Sequence, residues 1–272
     1  MQSILLEKLH LLIAENRRLE RVLAKHRESR MVCCYHCGSL NLTLEGSFQS
    51  EGVEYHIWEC MQCGLAQLEE HLAENQVKAL EAANPFYQLP EPGEIEKHVS
   101  QHSFILDLIH QHQGGTRLLE IGCSLGFKLE AARRNGWEVQ GVELSSHACS
   151  FVRSTFGIAV HEGTIESYMP ERRFDAIVAW HVLEHVPSLS LFLSHVHTLL
   201  SPGGQFYLQV PSFALFRGLT PWTDFPENFN AVHYWYFTEA SLSHQLMQNK
   251  LVPIAFSEDK QLRALTFVAL RE

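Results

Sequence analysis

The chain has few of the features that mark secreted or membrane proteins. Its 272 residues contain no apolar run long enough to cross a bilayer. The nearest candidate, residues 4–13, is interrupted by Glu7, Lys8 and His10 and lacks the composition of a secretory signal. These absences predict a cytoplasmic protein with no membrane span.

Positive charge is also scarce. The formal net charge is −10, and residues 31–70 contain six glutamates but no lysine or arginine. A protein that binds nucleic acid broadly needs a basic face to displace counterions from the phosphates. Nucleic acid is therefore not an expected partner.

Cysteine is rare outside one short segment, which holds five of the seven. Two C-x2-C pairs lie 22 residues apart in this segment, and each pair is followed by glycine. Four thiolates close a tetrahedral shell around Zn²⁺ and leave no open position, so the pattern predicts a structural zinc ribbon over residues 31–70. Cys33 and His36 fit the paired spacing less well as ligands. The predicted ligands are Cys34, Cys37, Cys60 and Cys63.

Residues 1–30 carry a helical pattern with apolar positions alternating by four and three. This spacing predicts a coiled coil and a homodimer through the N-terminal helix, with an asparagine that fixes register. The alternative is an amphipathic helix packed on its own chain. The stripe consists of Leu5, Leu9, Leu12, Asn16, Leu19, Leu23 and His26.

A change of pattern divides the rest of the chain. Asn84-Pro85 and the proline- and glycine-containing residues 90–93 interrupt a helical stretch, so residues 71–115 are predicted to be a helical linker. From Glu94 onward, helical segments alternate with apolar strands. This alternation predicts an α/β domain over residues 116–272, with a parallel sheet covered on both faces.

A small-residue turn at the start of this domain predicts a cofactor site. The apolar strand 117–121 runs directly into this turn, and a second strand ends at Glu143, which lies twenty-one residues after Gly122. Small residues let the backbone approach a ligand at the carboxyl end of a strand, and a carboxylate on the neighbouring strand can accept ribose hydroxyls.

Residues 116–271 resemble the class I S-adenosylmethionine-dependent methyltransferases, because several motifs match in the family's order. Leu119-Glu120-Ile121-Gly122-Cys123-Ser124-Leu125-Gly126 resembles the first motif, with Ser124 where glycine is commoner. The other matches are residues 163–165, the strand 174–178, the L-E-H signature within 181–186, and the Pro-Gly-Gly loop of 200–204 followed by the strand 205–210.

The resemblance implies a Rossmann-like, seven-stranded domain that binds S-adenosylmethionine. It places Glu120, Gly122 and Gly126 around the methionine part of the cofactor and Glu143 at the ribose. The full set of cofactor contacts that it implies is Glu120, Gly122, Cys123, Ser124, Gly126, Glu143, Leu144, Thr164, Ile165 and Trp180.

A nicotinamide dehydrogenase is the main rival for the same kind of fold. Those enzymes usually keep G-x-G-x-x-G, whereas Phe127 stands at the third glycine position here. The L-E-H and Pro-Gly-Gly elements have no reason to occur in a dehydrogenase. The sequence favours the methyltransferase.

Two histidines are candidates for the catalytic base. A hydroxyl nucleophile must lose its proton, which suits a histidine with a pKa near neutrality. His185 follows the fourth strand of the domain, at the edge where the cofactor is expected, although it could instead be a purely structural residue. His233 follows an aromatic-rich loop over residues 211–231, which is expected to form a lid or an acceptor wall.

The zinc ribbon, the methyltransferase domain and the H-x-x-Y-F-T element together are similar to sugar methyltransferases of deoxysugar and surface-glycan pathways. In members that methylate carbon, an acid often stands two residues before the histidine, and this chain has Ala231 there. The sequence therefore favours O-methylation of a small-molecule or glycan acceptor, such as a sugar hydroxyl. The alternatives are an RNA methyltransferase and a non-catalytic assembly protein.

Overall fold

A computed structural model describes residues 32–50, 52–69, 87–109, 116–219 and 221–272. The predicted N-terminal coiled coil lies outside these residues. The strands are β1 (Leu42–Ser50), β2 (Val53–Cys60), β3 (Ala66–Leu68), β4 (Arg117–Ile121), β5 (Glu138–Glu143), β6 (Ala159–Glu162), β7 (Phe174–Trp180), β8 (Leu200–Pro211), β9 (Trp235–Tyr236), β10 (Leu251–Asp259) and β11 (Ala264–Arg271). The helices are α1 (Ile95–Gln101), α2 (Phe104–Ile109), α3 (Phe127–Arg134), α4 (Ser146–Phe156), α5 (Leu189–Leu199), α6 (Phe213–Phe216) and α7 (Glu239–Gln248).

Seven strands form the larger sheet, in the order β10-β11-β8-β7-β4-β5-β6. The neighbours from β8 to β6 are parallel, and β11 runs antiparallel to both β8 and β10. This confirms the predicted seven-stranded α/β domain. One detail differs, because the segment 200–204, expected as a loop, is the beginning of β8, and Leu200 already pairs with Phe174.

The central strands are apolar throughout because the sheet is covered on both faces. On β4, Leu118 belongs to the core under helices α2, α3 and α4, whereas Leu119 and Ile121 belong to the core under α5 and α7. Ile177 and Val178 of β7 alternate between the two cores in the same way. Because β4 and β5 are parallel, their carboxyl ends lie at the same edge of the sheet.

The cysteine-containing segment forms a second sheet that is completed by the α/β domain. Its order is β1-β2-β3-β9, with antiparallel neighbours throughout. The fourth strand, β9, has only two residues and directly follows His233 and Tyr234. The predicted ribbon therefore shares backbone pairing with the candidate catalytic segment.

An aromatic cluster joins the ribbon to the loop that had been expected to form a lid. Phe229 is 2% exposed and stacks on Trp222 at a ring-centroid distance of 4.8 Å. It also contacts Phe48 of β1 at 5.9 Å and Tyr236 of β9 at 5.6 Å. Most of the loop's aromatic rings are buried against the ribbon, so they form a core that covers the smaller sheet and not an open lid.

No helix among the described residues has the length and apolarity needed to span a bilayer.

The short helices α1 and α2 lie within the predicted linker and pack against the α/β domain. His98 of α1 stacks on Phe127 with ring centroids 5.0 Å apart, and Phe104 of α2 lies 5.4 Å from Trp180.

The aromatic cluster predicts that Phe229→Ala destabilises the fold by about 3–5 kcal/mol, because the rings packed around Phe229 can fill the vacated volume only in part. Urea unfolding of the full chain measures this loss. Phe256→Ala is the matched control, since Phe256 on β10 is 40% exposed and should cost clearly less. Equal losses in both variants would contradict a shared core at Phe229.

Candidate active site

The turn after β4 is built for close approach of a ligand. Gly122, Ser124 and Gly126 all have positive φ, at 67°, 48° and 73°. The amide of Gly122 donates to the carbonyl oxygen of Val142 at 2.8 Å, which fixes the turn against the end of β5. A Cβ at Gly122 would lie 2.7 Å from Cγ2 of Val182, so this position has no room for a side chain.

Glu143 ends β5 and faces this turn. It is 4% exposed, and its Oε2 accepts a 2.8 Å hydrogen bond from the amide of Ser124. Oε1 accepts from the amide of Ser145 at 2.9 Å and from the hydroxyl of Tyr87 at 3.0 Å. The carboxylate thus joins the turn to the neighbouring strand and already receives a hydroxyl, the type of donor that a ribose offers.

Glu120 presents a second buried carboxylate at the end of β4. It is 1% exposed, and its Oε1 lies 2.9 Å from Nζ of Lys128. Burial raises the pKa of Glu120, Lys128 counteracts this, and the nearby Glu143 adds to the increase. Its Oε2 has no hydrogen-bond partner within the described ranges, so an ammonium group of a ligand would satisfy it.

The other predicted cofactor residues surround the same end of the sheet. The amide of Gly163 donates to the carbonyl oxygen of Glu143 at 2.9 Å, which brings the segment 163–165 beside β5. Ile165 is buried, Thr164 is exposed and Leu144 is 46% exposed. Cys123 is buried in the core, and Trp180 is half-buried at the end of β7.

The structure brings His185 and His233 together. Their ring centroids are 4.6 Å apart, with an interplanar angle of 75°. Nδ1 of His185 donates to the carbonyl oxygen of Val232 at 3.0 Å, and Nδ1 of His233 donates to that of Asn228 at 2.8 Å. Each hydrogen bond assigns the proton of a neutral ring to Nδ1 and leaves Nε2 as an acceptor.

Glu184 and His181 extend this pair into a polar network. Neither residue was among the predicted site residues. Oε1 of Glu184 lies 3.2 Å from Nδ1 of His181, and Nε2 of His181 lies 3.0 Å from Oε1 of Gln209. The L-E-H signature contained Glu184, but its spacing did not reveal that this carboxylate points inward and is 1% exposed.

Burial and neighbouring charges set the protonation of this network. Burial and the neighbouring His185 together lower the pKa of His233 to about 3, so that ring stays neutral. Burial alone would raise the pKa of Glu184, but the hydrogen bond with His181 and the adjacent histidines hold it at about 2. An ionised, buried carboxylate therefore lies beside the neutral ring of His233.

The four predicted zinc ligands converge at the end of the ribbon. The thiols of Cys34, Cys37, Cys60 and Cys63 all lie within 4.8 Å of one another. Sγ of Cys34 is 3.7 Å from that of Cys63, and Sγ of Cys37 is 3.5 Å from that of Cys60. Zn–S bonds of about 2.3 Å imply tetrahedral edges of about 3.8 Å, so the donor set fits zinc.

A family model for the methyltransferase domain matches residues 68–253, which is more than half of the chain. The chain belongs to the methyltransferase domain family. The match covers the small-residue turn, Glu143 and both histidines, and it stops within β10.

Curated relatives match up to about half of the chain. It is 30% identical over 155 residues to a ubiquinone biosynthesis O-methyltransferase of Bradyrhizobium diazoefficiens, covering 51% of this chain and 59% of the relative. A protein of the same name from Nitrobacter winogradskyi is 36% identical over 95 residues, which is 33% of this chain and 36% of that relative. The chain thus spans three-fifths or less of these relatives.

Solved structures share its fold at low sequence identity. An S-adenosylmethionine-dependent methyltransferase from Mesorhizobium loti aligns with a TM-score of 0.53 and 18% identity, covering 64% of this chain and all of the other. The S-adenosylmethionine-bound amino pentose methyltransferase CalS10 from Micromonospora echinaspora aligns with a TM-score of 0.50 and 17% identity, covering 75% and 99%.

Proposed function

We propose that this chain transfers a methyl group from S-adenosylmethionine to a hydroxyl group of a small-molecule or glycan acceptor. The observation that carries this proposal is the Glu143 carboxylate held 2.8 Å from the Ser124 amide at the carboxyl edge of the sheet. There a cofactor ribose would replace or join the Tyr87 hydroxyl on Glu143. The free oxygen of Glu120 would accept the amino group of the methionine part.

The acceptor half of the site lies at His185 and His233. Methyl transfer is a displacement that gains most from holding the nucleophile in line with the methyl group. An oxygen nucleophile must also lose a proton, and a neutral ring that donates from Nδ1 can accept this proton at Nε2. Because burial lowers the pKa of His233 to about 3, that ring is a weak base, so we assign proton removal to His185, with His233 packed against it.

O-methylation is supported by the names of the curated relatives, which are O-methyltransferases. A sugar hydroxyl is our preferred acceptor, and the amino pentose methyltransferase among the structural neighbours is in keeping with it. The composition of the ribbon disfavours an RNA acceptor, since residues 31–70 contain six glutamates and no lysine or arginine to contact phosphates. Methylation of RNA by the purified chain would favour an RNA methyltransferase. Absence of S-adenosylmethionine binding would favour a non-catalytic assembly protein.

We further propose that the four cysteines hold a structural zinc ion and that the N-terminal helix pairs two chains. A closed set of four thiolates leaves no coordination position for a substrate, so this zinc would take no part in the chemistry.

Replacing Glu143 by alanine should weaken S-adenosylmethionine binding by about 1.5–3 kcal/mol, because hydrogen bonds to a charged acceptor are lost. Isothermal titration calorimetry with the cofactor and with its demethylated product measures the change. Glu171→Ala is the control, since Glu171 is an exposed carboxylate before β7. Unchanged affinity in the Glu143 variant would refute the ribose assignment.

His185→Ala should lower turnover by roughly 10²–10⁴-fold on a hydroxyl acceptor, the usual size of acid–base catalysis. His233→Ala should also lower turnover, because the ring of His185 packs against that of His233. The affinity for S-adenosylmethionine should stay within about twofold of the parent, because the proposed cofactor contact, Glu143, lies at a different part of the sheet edge from the two histidines. His195→Ala, on α5, should leave both properties unchanged. Parental turnover in both site variants would exclude this pair from proton removal.

A further inference from the structure

The histidine segment, residues 232–237, lies between two supports. On one side, the amide of Tyr234 donates to the carbonyl oxygen of Glu184 at 2.7 Å, and Nε1 of Trp235 donates to that of Val186 at 2.7 Å. On the other side lies the ribbon. The amide of Leu68 donates to the carbonyl oxygen of Tyr234 at 2.9 Å, and β3 pairs with β9.

The ribbon side of this arrangement depends on the cysteine knuckles. Strand β3 has only three residues and begins three positions after Cys63. The amide of Cys60 donates to the carbonyl oxygen of Leu65 at 2.8 Å, so the second knuckle leads straight into β3. A strand this short has little stability of its own, and its position follows that of the knuckle.

Gln67 connects the first knuckle to the same strand. It is fully buried, its Oε1 accepts from the amide of Tyr35 at 2.8 Å, and its Nε2 donates to the carbonyl oxygen of Cys33 at 3.0 Å. Both knuckles are thus tied to β3, and β3 is tied to the histidine segment. Small modules built around four thiolates lose their fold when the metal is removed.

The cofactor half has separate support. Glu143 is held by Ser124, Ser145 and Tyr87, none of which belongs to the ribbon. Of the two cores that cover β4 and β5, the one under α3 and α4 contains no described residue of the ribbon. The opposite core includes Leu65 of the ribbon. The cofactor half therefore keeps one face of the sheet and the contacts of Glu143 that do not involve the ribbon.

We propose that the ribbon is a zinc-dependent positioning element for the acceptor half of the site. Metal at the four cysteines fixes β3, β3 fixes β9, and β9 sets the place of His233 beside His185. Loss of zinc releases the histidine segment and leaves cofactor binding intact. The acceptor role of this segment rests on the proposed function, whereas its coupling to the metal is a property of the fold.

Hydrogen exchange of the full chain with bound zinc, followed by mass spectrometry, tests the coupling. After zinc is removed with a chelator, the peptide containing residues 232–237 should exchange roughly tenfold faster or more, because its local opening becomes easier. Peptides from β4 and β7 should keep their protection, and zinc should restore the slow exchange. The demethylated cofactor should bind the zinc-free chain within about twofold of the zinc-bound affinity.

Gln67→Met tests the link without touching a ligand. It should raise exchange of the 232–237 peptide while the chain still carries one zinc, and Gln49→Met, on the exposed face of β1, should have no effect. Retained protection of the histidine segment without zinc, or equal loss of protection throughout the domain, would overturn the proposal. Absence of cofactor binding to the zinc-loaded chain with the exchange coupling intact would refute the proposed function alone.

Discussion

The carboxylate of Glu143 is the constraint on which the candidate site depends. It binds the backbone of the turn after β4 from the end of the neighbouring parallel strand, so two strand ends become one ligand-binding edge. This contact requires the glycine-containing turn, because Gly122 touches Val182 where any side chain would collide. It also requires the parallel pairing of β4 with β5, in which Ile121 lies opposite Val142, one residue before Glu143.

A second, independent arrangement supplies the acceptor side. The ribbon and the α/β domain meet through a shared strand pair and a shared aromatic core, so His233 lies where both units hold it. Because His185 and His233 each donate from Nδ1 to a backbone carbonyl, both rings present the same nitrogen as an acceptor. These backbone contacts orient both rings beside the buried carboxylate of Glu184.

The sequence predicted those parts of the structure that have a local signal. The strand 117–121, the turn after it and the acidic end of the next strand carry their pattern within a few dozen residues, and the cysteine spacing places its four ligands together. The pairing of β3 with β9 joins residues about 170 positions apart. Strand β9 has only two residues, which is too short to show the alternation of apolar and polar residues that predicts a strand. Long-range pairing of this kind depends on tertiary packing.

The aromatic loop shows a different reason for an error: its rings form a buried core where a lid was expected, whereas its role as an acceptor wall stays a prediction. Its phenylalanines could equally line a pocket or fill a core, since composition is the same in both cases. Their burial against Phe48 and Ile57 depends on the ribbon's position, which only the folded chain defines. Glu184 was likewise visible as part of a motif, but its inward orientation follows from the turn after β7.

A crystal structure of the chain soaked with S-adenosylhomocysteine tests the central claim most directly. The account predicts nucleoside density at the turn after β4, with both ribose hydroxyls at roughly 3 Å from the Glu143 carboxylate. An empty cleft at saturating ligand, or a nucleoside bound away from Glu143, would contradict it.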